Sequence, residues 1–381
     1  MMAKLGEVCK VSPSTKNIER QGAWLLNLDM VEQQTGRVIE YKYVGEDDLN
    51  GSIIQFDIEN VLYSKLRPNL NKVVLPEKDG FSTSELIPLR PDAGVLNRDY
   101  LAAFLRSDSF VTWAVSKTAG AKMPRLGTKD LMNAEIPMPE IEQQKKIAEK
   151  FKKLEQLISL RNQQISKLDE LVKARFVEMF GDCKTNPKNW KTKALEKIAN
   201  VGSSKRVFVE ELQDSGIPFY RGTEIGALAE KKAVKPELFI TEEHYKQLCE
   251  TTGKPQKGDL LMPSICPDGR IWIVDTDEPF YFKDGRVLWV HLTSANYNSV
   301  FLLYTLKDRI MTDYASIASG TTFAELKIFA LKKCKVFDVP LELQNQFAAF
   351  VERADQQKQT VQQSLEKLEL LKKALMQEYF G

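Results

Sequence analysis

Two long stretches of the chain carry apolar residues at alternating spacings of four and three positions. This spacing is typical of a coiled-coil seam, in which the repeated positions line one face of a helix. A helix with a single apolar stripe needs a partner in water. We therefore expect the two helices to pack against each other, antiparallel because a domain lies between them. The seam positions are Ile147, Phe151, Leu154, Ile158, Ile165 and Leu168 in the first helix, and Phe347, Val351, Val361, Leu365 and Leu368 in the second.

Polar residues interrupt both seams. Arg161 falls on a seam position of the first helix, and Lys358 and Lys372 fall on seam positions of the second. Polar residues at such positions lower stability but can fix the register and the choice of partner. We expect these three side chains to help set how the helices pair.

Both helices belong to a longer internal repeat, a property to establish before a fold is assigned. Phe180 and Gly181 recur as Phe380 and Gly381, a spacing of 200 residues. Matches continue upstream through segments 120–131 and 320–331, whereas the insertions lie in the domains rather than in the helices. We divide the chain into a first domain (1–140), a first long helix (141–181), a second domain (182–340) and a second long helix (341–381).

Each domain mixes strand and helix patterns. Strand signals occupy 5–11 and 195–201, alternating or β-branched runs cover 37–43 and 270–274, and 258–262 reads as a turn into a buried strand. Helical patterns follow at 100–117 and 300–316. The predicted fold class is α+β: two pseudo-symmetric α+β domains, each with a curved, mostly antiparallel sheet, separated by two long antiparallel coiled-coil helices.

Length and cysteine usage narrow the setting. At 381 residues, two domains can each bury a core. No run of about 18 apolar residues predicts a membrane span, and the first residues lack the apolar stretch of a signal peptide. Five scattered cysteines, never in a Cys-x-x-Cys pair, favour a reducing cytoplasm over a structural zinc site. They are otherwise read as small buried apolar residues.

The net charge of +2, from 54 basic and 52 acidic residues, does not announce a nucleic-acid partner. The distribution is more informative, because basic residues cluster in 184–206, around Lys65, Arg67 and Lys72, and around Lys122, Arg125 and Lys129. Such a cluster can be a solvated face. Here each one lies beside a domain loop, which favours contact with DNA.

Sequence patterns for catalysis are missing. The two histidines, His244 and His291, both lie in the second domain, so a repeated site would lack its base in the first. No phosphate-binding Gly-x-x-x-x-Gly-Lys loop, no amino-methyltransferase Pro-Pro-Tyr motif and no metal-nuclease pattern occurs. We therefore predict a binding protein, not an enzyme, with no metal and no cofactor of its own.

Loop residues supply the candidate DNA contacts. Lysine and arginine can neutralise phosphates, and arginine or asparagine can read base edges in the major groove. For each position, turn chemistry or a solvated charge is the alternative explanation. The candidates are Lys65, Arg67, Asn69, Lys72, Lys122 and Arg125 in the first domain, and Arg221, Thr223, Arg270, Thr321 and Thr322 in the second.

Segments 120–149 and 320–349, each followed by its long helix, resemble the specificity subunit of type I restriction–modification systems. The stretch 139–148, which reads PEIEQQKKIA, is similar to the start of that family's spacer helix. Gly258 and the Asp-Leu-Leu that follows it resemble the family's turn and strand before the recognition loops. In the second copy Leu343 and Asn345 replace a Gln and a Lys, and segment 282–285 (Phe-Lys-Asp-Gly) stands where the first copy has 82–85 (Ser-Thr-Ser-Glu). The two domains are therefore expected to read different sequences.

The resemblance implies a non-catalytic, cytoplasmic subunit that binds double-stranded DNA. Each target recognition domain would read one half of a split, asymmetric site. The spacer helices, with the seam residues named above, would set the gap and dock two adenine methyltransferase subunits, which endonuclease–translocase subunits would join. S-adenosylmethionine would be bound by the methyltransferase and not by this chain. Two alternatives remain open from the residues alone: a scaffold with two protein-binding domains, and an enzyme with an unrecognised site.

Overall fold

The computed structural model describes residues 1–49, 52–120, 122–319 and 324–381. The chain divides into two compact units. Unit 1 comprises Met1–Gln164 and Val361–Gly381, and unit 2 comprises Ile165–Thr360. Each unit therefore contains one domain, called a head below, with parts of both long helices.

In unit 1 the head alternates short strands and helices. Its elements, in chain order, are β1 (Met2–Lys4), α1 (Leu5–Val8), β2 (Cys9–Val11), β3 (Ala23–Leu26), β4 (Lys42–Val44), β5 (Ile53–Phe56), β6 (Val61–Ser64), β7 (Val73–Val74), β8 (Gly80–Thr83), β9 (Leu86–Pro91), α2 (Arg98–Leu105), α3 (Asp108–Ser116), α4 (Thr128–Met132) and β10 (Glu135–Pro137), followed by the long helix α5 (Ile141–Phe180). Short 3-10 turns occupy Leu28–Met30, Glu46–Asp48 and Pro68–Leu70.

The head of unit 2 follows the same plan with insertions. Its elements are β11 (Thr192–Ala194), β12 (Ala199–Gly202), β13 (Ile217–Tyr220), α6 (Gly222–Ala229), β14 (Phe239–Ile240), α7 (Glu242–Thr252), β15 (Leu260–Pro263), β16 (Trp272–Ile273), β17 (Tyr281–Phe282), β18 (Val287–Leu292), α8 (Ser299–Ile317), β19 (Ala318–Ser319), β20 (Glu325–Leu326), α9 (Ile328–Lys332) and β21 (Lys335–Phe337), followed by α10 (Leu341–Phe380). Leu195–Lys197 and Val209–Glu211 form 3-10 turns.

The two heads share their sheet topology. The four-stranded order β2-β9-β6-β7 in the first head recurs as β12-β18-β15-β16 in the second. The two-stranded ladder β1-β10 recurs as β11-β21. Among the described strands, the pairings are antiparallel except β3 with β8 and β13 with β17, which also correspond. The internal repeat is therefore a repeat of topology. Among the described elements the heads differ between these shared strands, where the second head has α6 and α7 and the first has the additional strand β5.

Several strand predictions were wrong in detail, and each head holds more than one sheet. Segment 5–11 begins as α1, because the Glu7 carboxylate accepts a hydrogen bond from the Lys4 amide at 3.1 Å and caps a helical turn. Segment 195–201 likewise begins as a 3-10 turn. Only the end of segment 37–43 joins a strand, β4, whereas Val38 forms an isolated bridge with Val31. The buried strand after Gly258 and the later helices are confirmed.

In each unit the long helices pair antiparallel and complete the core of the head. In unit 1 the Phe151 ring stacks on Phe380 with centroids 5.9 Å apart, and Phe380 also contacts Tyr100 and Phe104. In unit 2 Phe180 lies 4.8 Å from Phe301 and 5.6 Å from Phe347 between ring centroids. The repeated Phe-Gly pairs thus end each long helix against a head.

The predicted seam residues lie at these contacts. Ile147, Phe151, Leu154, Phe347, Val351, Val361 and Leu365 are buried, and Ile158, Ile165, Leu168 and Leu368 are half-buried. Two of the polar seam residues form ion pairs with the other helix: Lys372 with Glu155 at 3.0 Å in unit 1, and Lys358 with Asp169 at 2.6 Å in unit 2. Arg161 instead donates to Gln164 of its own helix at 2.9 Å.

Candidate nucleic-acid interface

The fold brings two of the basic clusters of the first head together. The Arg67 amide donates to the Pro124 carbonyl at 2.8 Å, and the Leu126 amide donates to the Lys65 carbonyl at 2.9 Å. Leu66 and Arg125 form a β-bridge between the same segments. Lys65 and Arg67 therefore lie beside Arg125, although about sixty residues separate them along the chain.

The loop that follows Lys65 has a defined backbone. Arg67 and Asn71 both have φ of 50°, in the left-handed region, and they flank the 3-10 turn at Pro68–Leu70. A left-handed conformation is unusual outside glycine and persists where surrounding contacts hold it. Here the Asn71 side chain donates to the Arg106 carbonyl at 3.0 Å. The loop is thus a built surface feature, and Asn69 is exposed on it.

The candidate cations of the first head differ in availability. Arg67 and Lys122 are exposed, Lys65 is half-buried, and none of the three forms an ion pair within the described ranges. These side chains are free to meet phosphates. Lys72 is not, because its ammonium group donates to the Leu28 carbonyl at 2.5 Å, and burial lowers its pKa. We read Lys72 as a support of the loop.

Arg125 is exposed and paired. Its guanidinium donates to the Glu85 carboxylate from Nη2 at 3.1 Å and from Nε at 3.3 Å. Around it lies a shallow depression of about 610 Å³, lined by Lys65, Lys117, Ala119, Gly120, Met123, Arg125, Leu126, Gly127, Thr128 and Asp130. The depression is too open to enclose a small ligand but offers cations and backbone to a larger one.

The candidates of the second head are mostly tied to carboxylates. Arg221 donates to Glu224 and Glu237, and the Thr223 hydroxyl donates to Glu224 at 2.9 Å. These hydrogen bonds raise the pKa of Arg221, so it remains a cation in a closed network. Arg270 lies 2.8 Å from Asp268 and 4.0 Å from Glu230. Thr321 and Thr322 fall outside the described residues.

A charge-reversed ion pair occupies corresponding places in the two heads. In the first head Arg125 pairs with Glu85, and in the second Arg286 pairs with Glu325. The surrounding hydrogen bonds match: the Lys65 amide donates to the Glu85 carbonyl at 3.0 Å, and the Ser264 amide donates to the Arg286 carbonyl at 2.8 Å. Glu85 thus corresponds to Arg286 and Arg125 to Glu325.

Sequence reasoning named Glu85 only as part of a segment that differs between the heads, and it assigned no role to Arg286. The sequence did carry the signal, because Glu85 is replaced by an arginine at the corresponding position 286 and Arg125 by a glutamate at position 325. The exchange could be recognised only after the heads were aligned with two different offsets, 201 residues at Glu85 and 200 residues at Arg125. That small shift, which follows from a loop insertion, concealed the reciprocal exchange.

Neither thiols nor histidines form a candidate catalytic centre in the part of the chain that the structure describes. Burial raises the pKa of the Cys9 and Cys266 thiols to about 12, which keeps both protonated and unreactive. His291 contacts Asp259 at 2.8 Å, but Asp259 also accepts from the Trp289 indole at 2.7 Å and holds a turn. In the first head Asn60 takes the corresponding place and caps a turn too.

Two further features are missing from the described ranges. No group of three or more histidine, cysteine, aspartate or glutamate side chains is arranged to hold a metal ion. No helix is both long enough and apolar enough to cross a lipid bilayer.

Comparison with known proteins gives the chain a family. The model of the type I restriction modification DNA specificity domain matches it twice, at residues 1–170 and 187–370. The chain is 24% identical over 332 residues to the type I restriction enzyme MjaVIII specificity subunit of Methanocaldococcus jannaschii, covering 81% of this chain and 75% of that one. It is 24% identical over 380 residues to the MjaIX specificity subunit of the same organism, covering 91% and 84%. A match to the EcoDI specificity subunit of Escherichia coli, 25% identical, spans 32% of this chain and only 27% of that relative.

Solved structures agree on the fold. A chain from a study of complex assembly and conformational transition of the type I R-M system superposes with a TM-score of 0.61 at 18% identity, covering 100% of this chain and 97% of that one. The type I restriction-modification S subunit from M. genitalium superposes with a TM-score of 0.59 at 16% identity, covering 100% and 96%. The two family-model matches, which together include both heads and most of both long helices, establish that this chain belongs to the type I restriction–modification DNA specificity subunits.

Proposed function

We propose that this chain selects the DNA sequence on which a type I restriction–modification complex acts. Each head (1–140 and 182–340) reads one half of a bipartite, asymmetric site, and the long helices (141–181 and 341–381) set the gap between the halves. The supporting observation is the double match to one DNA specificity model by two heads whose loop charges differ. Two copies of one scaffold with different loops are suited to reading two different half-sites.

In the first head, the proposal assigns phosphate contacts to Lys65, Arg67 and Lys122, with Asn69 beside them. These cations are exposed or half-buried and form no ion pair among the described residues. Phosphate contacts fix the register of a protein on the duplex, whereas base contacts specify the sequence. In the second head, the candidates Arg221 and Arg270 are already paired with carboxylates, so they are less available to phosphates than the three cations of the first head.

Partner docking is assigned to the outer faces of the helices. The buried seam residues are unavailable to a partner, but Leu157 and Leu160 of α5 are 44% and 58% exposed. Exposed leucines on a helix favour a protein interface when they are neighbours. We propose that methyltransferase subunits, later joined by endonuclease–translocase subunits, contact such positions. The chain itself contributes recognition and no chemistry.

The decisive experiment uses the full chain purified with the methyltransferase subunits of its host. A random duplex library is bound and sequenced, and affinity for the selected DNA is measured across a range of salt concentrations. We expect a split motif and a log–log salt slope near −0.9 per phosphate neutralised. Lys65→Ala and Lys122→Ala should each reduce the slope by about one unit without changing the motif. A library that yields no split motif would contradict the proposal.

A further inference from the structure

The Arg125–Glu85 pair leaves one edge of the guanidinium unused. Glu85 takes Nε at 3.3 Å and Nη2 at 3.1 Å, which is a side-on arrangement. Within the described ranges, Nη1 has no hydrogen-bond partner. The Nη1–Nη2 edge therefore retains two parallel N–H donors that point away from the carboxylate. In the major groove, the O6 and N7 atoms of a guanine can accept hydrogen bonds from two such parallel donors on one planar group.

Backbone contacts fix both partners of the pair. Arg125 exchanges two hydrogen bonds with Ala119, at 3.0 and 3.1 Å. Glu85 is held through its carbonyl, which accepts from the Lys65 amide at 3.0 Å. The side chains therefore start from anchored positions. An arginine already ordered by a carboxylate loses less conformational entropy when it binds a base.

The surroundings suit a nucleic acid. Arg125 is 46% exposed while Glu85 is 25% exposed, so the guanidinium is the outer member of the pair. Exposed Arg67 and Lys122 and half-buried Lys65 lie on the same two hydrogen-bonded segments. Because the charge of Arg125 is already paired with Glu85, its guanidinium attracts a phosphate less strongly than the unpaired cations Lys65, Arg67 and Lys122 do. It is better suited to directional hydrogen bonds than to bulk charge attraction.

We propose that Arg125 reads a guanine in the first half-site and that Glu85 is the positioning residue that orients it. This inference rests on the proposed function and names one base contact within it. Arg125 is thereby a specificity-determining residue, distinct from Lys65, Arg67 and Lys122, which contact phosphates.

The second head supports the same division of roles. There Arg286 is 60% exposed and Glu325 is 26% exposed, so again the arginine is the outer member. The arginine now comes from the segment that supplies the carboxylate in the first head. Between the heads the two charges of the pair are exchanged together, yet in both heads the arginine is the more exposed member. This favours a role for the exposed guanidinium over an incidental surface contact. The guanidinium approaches from the opposite segment, which suits a different half-site.

The test compares base preferences of variants by the library selection described above. Arg125→Ala should lower discrimination for guanine at one position of one half-site by about 5- to 150-fold, the range for a bidentate base contact. Arg125→Lys keeps the charge but lacks the planar fork, so it should lose the same preference and keep the salt slope. Glu85→Gln should weaken the preference less, because an amide oxygen still accepts one hydrogen bond.

Two controls separate reading from folding. The double variant Glu85→Arg/Arg125→Glu restores an ion pair in the order found in the second head, so it should unfold at the wild-type temperature yet change the preferred base. Lys65→Ala should weaken binding equally for all sequences. A uniform loss in Arg125→Lys with every base preference intact would overturn the inference and leave the proposed function standing. If wild-type chain selects no split motif, the proposed function fails and this inference with it.

Discussion

Gln144 and Gln344 attach the start of each long helix to its own head. Both side chains are fully buried. The Gln144 amide oxygen accepts from the Asn97 backbone amide at 2.9 Å, and its nitrogen donates to the Val95 and Pro139 carbonyls at 2.9 Å. Gln344 repeats this arrangement with Asn298, Asn296 and Val339. One side chain thus satisfies three backbone groups that would otherwise be buried without partners, which explains why both copies keep it.

Replacing Gln144 should therefore destabilise unit 1. Gln144→Ala leaves one amide and two carbonyls without their partner, and we expect a loss of about 2 to 4 kcal/mol in the free energy of unfolding. Urea unfolding of the full chain measures it. Gln143→Ala is the matched control, because Gln143 is exposed one position earlier and should change stability by no more than about 0.5 kcal/mol. Equal stability of the two variants would contradict the role assigned to Gln144.

Glu224 makes the stability of unit 2 depend on pH. Burial raises the pKa of its carboxyl. Hydrogen bonds from Arg221, Thr223 and backbone amides together lower the pKa by more than burial raises it, so it falls from 4.5 to about 2. Because the folded pKa lies below the unfolded one, this group stabilises the fold above pH 4.5. That contribution is lost as the pH falls from 4.5 toward 2.

Thermal unfolding between pH 6 and 3 tests the pH dependence. Other carboxyl groups also titrate in this range, so the wild type is compared with Glu224→Gln. The variant should be less stable than wild type near neutral pH, and the difference should shrink as the solution is acidified. A difference that is constant with pH would show that the carboxylate charge of Glu224 contributes nothing.

At the scale of elements, one carboxylate on a long helix contacts both the other long helix and the head. Glu155 of α5 accepts from Lys372 of α10 at 3.0 Å and from Arg106 of the head at 3.2 Å. Arg106 is only 9% exposed, and it also donates to the Val73 carbonyl at 2.7 Å. The Glu155 carboxylate therefore links α5 to α10 and, through Arg106, to strand β7 of unit 1.

Removing that carboxylate should cost more than removing a surface one. Glu155→Ala leaves the nearly buried Arg106 cation without its counter-charge, and we expect a loss of about 2 to 4 kcal/mol, near the range for breaking a buried ion pair. Glu149→Ala is the control, since the Glu149–Lys153 pair on the same helix is exposed on both sides and such pairs contribute about 0 to 1 kcal/mol. Similar losses in the two variants would mean that Arg106 is adequately solvated without Glu155.

The helices could be predicted from sequence because their period alone places the seam residues on one face. The strands were harder, since short runs such as 5–11 satisfy helical and extended spacing equally, and a cap from Glu7 decides between them. The candidate interface could be predicted only one residue at a time. Lys65 and Arg125 were identified singly, but their proximity depends on hydrogen bonds between distant segments. The hydrogen bond from Lys72 to the Leu28 carbonyl could not be predicted, because the acceptor is a backbone atom that no side-chain pattern marks.

At the scale of the whole molecule, the division between units falls within the helices rather than at their ends. Unit 1 ends at Gln164 of α5 and resumes at Val361 of α10. Each head is thus built together with the start of the helix that follows it and the end of the other one. Phe380 is buried in the core of unit 1 and Phe180 in the core of unit 2, with side chains 5% and 0% exposed. Changes of length near residues 164 and 360 therefore leave the core of either head intact.

An insertion at these points tests the spacer role. Seven residues added after Gln164 and seven after Thr360 keep the heptad phase and add about 10 Å at 1.5 Å per residue. At 3.4 Å per base pair, the gap between the half-sites should lengthen by about three base pairs, while both half-site sequences stay the same. Library selection with the methyltransferase subunits present measures both quantities. The control replaces exposed residues of the same heptads without changing length, and its gap should match wild type. Altered half-sites with an unchanged gap would show that the helices take part in reading DNA rather than in spacing, because a rigid insertion between two independent readers can move them apart but cannot change what either one binds.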